Sequence, residues 1–186
     1  MDGLLADLFG KIAQEIYSKP YQVLTLKEKL NAKVIWRDKT SFFEKFGGLE
    51  SFFANLPTFG DRTNAIVDTV MQFAGEYRIC SHPASNDRKA SKRGKITWIK
   101  NNLTPQPAEM TFPLNKAQYA IDTDGTPNVL IDDFKPYIVH WKEAGGIAIE
   151  MCTDKFNSAH EVKQFLTTNL SAIKKARCKK ISCASS

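Results

Sequence analysis

The chain has 186 residues, 42% of them hydrophobic and 25% charged, with a formal net charge of +6. That balance excludes disordered, collagen-like and coiled-coil proteins, and no apolar run reaches the ~18–20 residues of a membrane span. The opening MDGLLADLFG has no basic flank before its apolar residues, which argues against a secretory signal and for a cytoplasmic protein. Five positive charges sit on Lys174, Lys175, Arg177, Lys179 and Lys180, and no acid follows residue 173. The body, residues 1–173, is therefore close to neutral. This argues against a dedicated nucleic-acid-binding domain and reads 178–186 as a basic, polar tail. Cys80, Cys152, Cys178 and Cys183 form no C-x-x-C pair, and His82, His140 and His160 are scattered. With no zinc-ligand spacing, a metal is expected on oxygen ligands.

In chain order, residues 4–17 read as an amphipathic helix, with Leu4, Leu8, Ile12 and Ile16 on one face. Residues 18–60 change character. Pro20, Gly47, Gly48, Pro57 and Gly60 punctuate short helical pieces, and Phe42, Phe43, Phe46, Phe52, Phe53 and Phe59 supply either a small core or an apolar wall over a ligand. From residue 61 the rhythm is regular. DRTNAIVDTVMQFAG reads as a helix with Asp61 as a candidate cap and Gly75 at its end. The strand EYRICS, the basic helix DRKASKRGKITWIKNNL and the short strand AEMTF follow. PNVLIDD is a strand ending in two acids, KPYIVHWKEAGG a helix, GIAIEM a strand, and 157–177 a last helix. Strands alternating with helices predict an α/β fold around a parallel sheet covered on both faces.

Sites in open parallel sheets lie beyond the carboxyl ends of the strands. That rule selects Ser81 and His82, the stretch before Asn115-Lys116, and Asp132 and Asp133; the chain start adds Asp2-Gly3. Asp132 and Asp133 at the end of a buried strand repel each other and lose solvation, an arrangement that a hard cation such as Mg2+ relieves. The competing reading makes them N-terminal caps of KPYIVHWKEAGG, and spacing leaves both open. Ser81 offers a hydroxyl at a strand-to-helix turn, suited to phosphate. Residues 78–100 carry Arg78, Arg88, Lys89, Lys92, Arg93, Lys95 and Lys100 against Asp87 alone, a field that attracts a phosphorylated substrate. Most of these belong to a solvated helix face. Lys95, one turn before Trp98, is the one singled out for the site. Lys116 matters if it points at Asp132 and Asp133.

MDGLLADLF, YRICSHP, KITW, NK and NVLIDD, in this order, resemble the haloacid dehalogenase superfamily. The closer resemblance is to its 5'(3')-deoxyribonucleotidase branch and to related short proteins often encoded by phages. It spans roughly residues 1–151, and the segment VLIDDFKPYIVHWKEAGGIAI matches the branch's last motif almost continuously. The resemblance implies a Rossmann-like core from 1–17 and 61–177, with a helical cap inserted at 18–60. It implies a Mg2+-dependent phosphomonoester hydrolase of nucleoside monophosphates in the cytoplasm, of the host if phage-encoded. Asp2 would act as general acid/base and bind Mg2+ through its carbonyl. Ser81 would hold the phosphoryl group, with His82 standing where the branch has Ser. Lys95 would touch phosphate or cap, Lys116 would neutralise charge, and Asp132 with Asp133 would hold the metal.

In that family the nucleophile is the first Asp of Asp-x-Asp. Here Met1 holds the x position and Asp2 the second Asp, so the nucleophile and the central strand that carries it would precede Met1. The favoured expectation is a longer natural chain, with about five apolar residues and an Asp encoded upstream. The alternative is a catalytically inactive relative that binds a nucleotide or a phosphorylated partner.

Overall fold

A computed structural model describes residues 1–38 and 40–184, with side chains placed outside 36–40 and 178–184. The opening residues do not begin a helix. The Met1 carbonyl accepts from the N–H groups of Leu4, Leu5 and Ala6, which curls the chain into a tight loop. Helix α1 starts at Leu8 and runs to Tyr17, because Asp7 caps it by accepting from the Gly10 N–H at 2.8 Å. The predicted start at residue 4 is thus four residues early, and Leu4, Leu5 and Ala6 are buried as loop residues.

Residues 18–60 carry helices α2 (Leu26–Asp38), α3 (Thr40–Glu44) and α4 (Leu49–Ala54). Then come α5 (Asp61–Ala74), β1 (Arg78–Cys80), α6 (Arg88–Asn102), β2 (Glu109–Thr111), β3 (Val129–Asp132), α7 (Lys135–Glu143), β4 (Ile147–Glu150) and α8 (Ala159–Ala184). Asp61 is the first residue of α5 rather than its cap; Gly60 takes that position, with no side-chain cap hydrogen bond. Gly75 does end the helix in the left-handed conformation. The backbone of α8 continues through the basic tail to Ala184, whereas the tail's side chains lie outside the described residues.

The chain is a mixed α/β protein with parallel strand pairing. Its strands do not form one sheet among the described residues. β1 pairs with β2 (Ile79 opposite Met110) and β3 pairs with β4 (Leu130 opposite Ala148, Asp132 opposite Glu150) as two separate parallel pairs. Between them lies a cavity of about 390 Å³. The inner edges of β1 and β3 line it along their length, together with Leu4, Leu5, Ile66, Val67 and Trp141, and Met1 borders it. The predicted single parallel sheet is interrupted at this gap, since three- and four-residue strands pair only where another strand is within hydrogen-bonding distance.

Two-stranded pairs this short are not stable alone, so the helices hold them. α4 packs on α6, α5 on α8, and α7 on β3 and β4. The larger apolar cluster joins Phe43, Phe52 and Phe53 to Ile66, Ile79, Trp98 and Ile99. The smaller one, Ala120, Leu130, Ile138 and Trp141, belongs to the β3–α7 side. The helical segment 18–60 therefore shares a core with α6: Trp98 Nε1 donates to the Leu56 carbonyl at 2.7 Å. Phe43, Phe52 and Phe53 are at most 2% exposed and form no outer wall.

Gly94 explains how closely α4 approaches α6. A Cβ there would stand 2.3 Å from the Glu50 carbonyl oxygen and 2.7 Å from Phe53 Cβ. Ala is favoured over Gly in a helix by about 1 kcal/mol, yet overpacking costs about 1–3 kcal/mol. Gly94→Ala is therefore expected to lower the urea midpoint. An unchanged or raised midpoint would contradict this contact.

Candidate active site

The carboxyl ends of β1 and β3 point to the same region, and the N-terminal loop, α6 and the turn at Lys116–Tyr119 reach into it. Ser81, one residue beyond β1, is 2% exposed. Lys95 comes from the middle of α6, where its position one turn before Trp98 turns it inward, and it is 1% exposed. A lysine so buried stays charged only if its donors are taken. Lys95 Nζ reaches Asp2 Oδ2 at 2.6 Å, the His82 carbonyl at 2.7 Å and Ser81 Oγ at 3.1 Å. It also lies 4.9 Å from the centre of the Phe53 ring.

Lys116 is equally enclosed. Asn115 caps its turn by accepting from the Ala117 N–H at 3.0 Å, which directs Lys116 inward. Its Nζ pairs with Asp132 Oδ2 at 2.6 Å and lies 4.5 Å from the centre of the Tyr137 ring. The other Asp132 oxygen, Oδ1, accepts from the Phe134 N–H at 2.9 Å. Asp132 therefore fixes the chain where β3 turns toward α7 and does not cap the helix in the ordinary way; Phe134 holds the N-cap position without a side-chain cap.

Asp133 faces the N-terminal loop. Gly3 has φ +79, and a Cβ on it would fall 2.1 Å from Asp133 Oδ2, so this approach of loop to carboxylate requires glycine. The Asp133 carboxyl is raised to about 6, chiefly by burial, with the Met1 amine pulling it down and Asp132 and Asp2 adding to the rise. Burial, with Lys116 next, holds that amine below its usual range. Asp2 Oδ1 is buried with no hydrogen-bond partner. His82 contributes its carbonyl to Lys95, and its ring lies 6.0 Å from that of Tyr137, nearly parallel at 22°. Burial, aided by Lys95 and Lys116 and opposed by a backbone hydrogen bond at Pro83, holds the imidazole below its usual range.

Asp2, Ser81, His82, Lys95, Lys116, Asp132 and Asp133 thus meet in one place. The Met1 amine, Phe134 and Tyr137 stand among them and were not selected from the sequence. Phe134 and Tyr137 had a usable signal, aromatics three positions apart immediately after the acids. The amine's place follows only from the folding of the loop.

Among the described residues no group of three or more His, Cys, Asp or Glu side chains is arranged to hold a metal ion. Asp132 commits both oxygens to protein donors. The carboxylates with capacity to spare are Asp2, through its unpartnered Oδ1, and Asp133, whose raised pKa reflects incomplete compensation. Mg2+ is commonly held by one or two carboxylates, with water and phosphate oxygens completing its shell, and this donor set fits it.

No family model matches the chain, and neither a curated protein nor a solved structure does. Among the described residues no helix is long and apolar enough to cross a membrane.

The Asp133 shift has a definite sign in stability. Between about pH 4 and 6 the folded state binds a proton that the unfolded state releases, so this group's contribution falls as pH rises. From the ordinary 3.8 to about 6, the penalty at neutral pH is at most roughly 3 kcal/mol. Asp133→Asn is expected to raise the urea midpoint relative to wild type at pH 8 and to lose that advantage near pH 4. A pH-independent difference would contradict the assignment.

Proposed function

We propose that this site is that of a Mg2+-dependent phosphomonoester hydrolase acting on nucleoside monophosphates. The observation that carries the reading is the convergence of two buried lysines, Lys95 and Lys116, with Ser81 on the carboxylates at the strand ends. Phosphoryl transfer asks a protein chiefly for positioned cations and hydrogen-bond donors around the transferring group. Lys95 and Lys116 come from different elements and bracket Asp2 and Asp132, so a phosphoryl group entering between them meets an ammonium on each side. Ser81 Oγ adds a donor beside Lys95. Asp2 is placed to give a proton to the leaving oxygen and to take one from the attacking water. Mg2+, held by the Asp2 backbone carbonyl and the Asp133 carboxylate with Asp132 and Lys116 beside them, would neutralise charge on the phosphate oxygens.

The resemblance to the deoxyribonucleotidase branch places the nucleophilic aspartate ahead of Met1. The cavity between β1 and β3 supports that reading: both inner edges face it and Met1 borders it, so a strand running through it would enter the site at Met1. A second reading is a pseudoenzyme that binds the nucleotide without cleaving it. Its support is the Lys95–Asp2 pair at 2.6 Å, which already engages the carboxylate that the hydrolase reading needs for proton transfer.

Phosphate release from deoxynucleoside monophosphates with Mg2+ tests the two readings. A chain bearing about five apolar residues and an Asp ahead of Met1 is expected to release phosphate, while Met1–Ser186 releases little or none. Asp132→Asn in the extended chain is expected to abolish release, because Lys116 loses its charged partner and the metal a neighbouring carboxylate. Tight nucleotide binding by the extended chain with no release would establish the pseudoenzyme instead.

A further inference from the structure

Three rings stand beside the charged cluster without taking part in its ion pairs. Phe134 follows the two acids directly and is 51% exposed. Its backbone is fixed to the site by the N–H bond to Asp132 Oδ1, and its ring meets that of Tyr137 edge-on at 4.9 Å and 68°. Tyr137 holds Lys116 Nζ against its ring and has His82 nearly parallel at 6.0 Å. The three rings therefore form one continuous aromatic surface. Its middle ring, Tyr137, touches Lys116, which belongs to the anion site, and its outer end, Phe134, is open to solvent.

A single exposed Phe is ordinary on a protein surface. An exposed Phe backed by two further rings and joined through Lys116 to a cationic site is a surface for a ligand with an anionic end and a flat apolar end. We infer that Phe134, supported by Tyr137 and His82, is the stacking platform for the base of a nucleoside monophosphate whose phosphoryl group lies between Lys95 and Lys116. This rests on the phosphoryl-site reading above and adds where the base goes. Phe43, Phe52 and Phe53 do not compete for the role, being at most 2% exposed and packed into the core. Every base has a π-face, so a platform of this kind is tolerant of base identity and separates nucleotides from base-free sugar phosphates.

Calorimetric titration of Met1–Ser186 in Mg2+ with deoxyadenosine 5'-monophosphate, deoxythymidine 5'-monophosphate, 2-deoxyribose 5-phosphate and inorganic phosphate tests it. Phe134→Ala is expected to weaken both nucleotides about tenfold and leave the two base-free ligands unchanged, within the range for one lost base stack. Phe134→Trp is expected to restore nucleotide binding. Equal weakening of all four ligands, or no weakening of the nucleotides, would overturn the platform. Wild-type nucleotides that bind no tighter than deoxyribose phosphate would also overturn it while the anion site stands. If wild type binds none of the four, the phosphoryl-site reading falls and takes the platform with it.

Discussion

Two buried lysines, Lys95 paired with Asp2 and Lys116 with Asp132, fasten the loops of this protein to its strand ends. The first ties the N-terminal loop to α6 and, through Ser81, to the end of β1. The second ties the Lys116–Tyr119 turn to the end of β3. No backbone ladder connects the two parallel pairs among the described residues, and each ion pair braces its own side of the cavity. Each lysine is 4% exposed or less, and stripping either of its carboxylate would leave an uncompensated charge in an apolar surrounding, a loss on the order of 3–5 kcal/mol. Stability and site chemistry are therefore concentrated in the same few atoms.

That concentration accounts for the raised pKa of Asp133. A third carboxylate, Asp133, stands beside these pairs and is pushed toward protonation by burial, with Asp132 and Asp2 acting in the same direction. A protein that needed only a stable core would have little use for three acids in so small a space. A bound divalent cation would supply the compensation that the lysines leave unmet. The rings of Phe134, Tyr137 and His82 pack in a row beside the charged cluster, with Phe134 exposed.

Much of this was legible in the sequence because the relevant signals are local. Apolar runs ending abruptly at Ser81 and at Asp132-Asp133 located two strand ends, and the placement of Lys95 against Trp98 marked its inward turn. The pairing of Lys95 with Asp2 was not legible, since it joins residues 93 positions apart and depends on the loop that Met1 closes. The start of α1 was misjudged because Leu4 and Leu5 fit the helical period while the Met1 carbonyl draws them into a turn. The single sheet was expected from alternating elements. Element order carries no information about which strand edges come within hydrogen-bonding distance, and here β1 and β3 face a cavity instead of each other. Phe134 fell between the strand PNVLIDD and the helix KPYIVHWKEAGG and was assigned to neither, while its ring packs edge-on against Tyr137 and is exposed.

The central claim is that Lys95 and Lys116 face one anion-binding space. The most direct measurement is the NMR signal of their ε-ammonium groups in lysine-labelled Met1–Ser186, followed while inorganic phosphate is added with Mg2+. Both signals are expected to shift together and saturate at one phosphate per chain, with surface lysines such as Lys89 unmoved. Signals from Lys95 and Lys116 that stay in place, or a drift shared by all lysines, would mean that these pairs are structural and that the phosphoryl site lies elsewhere.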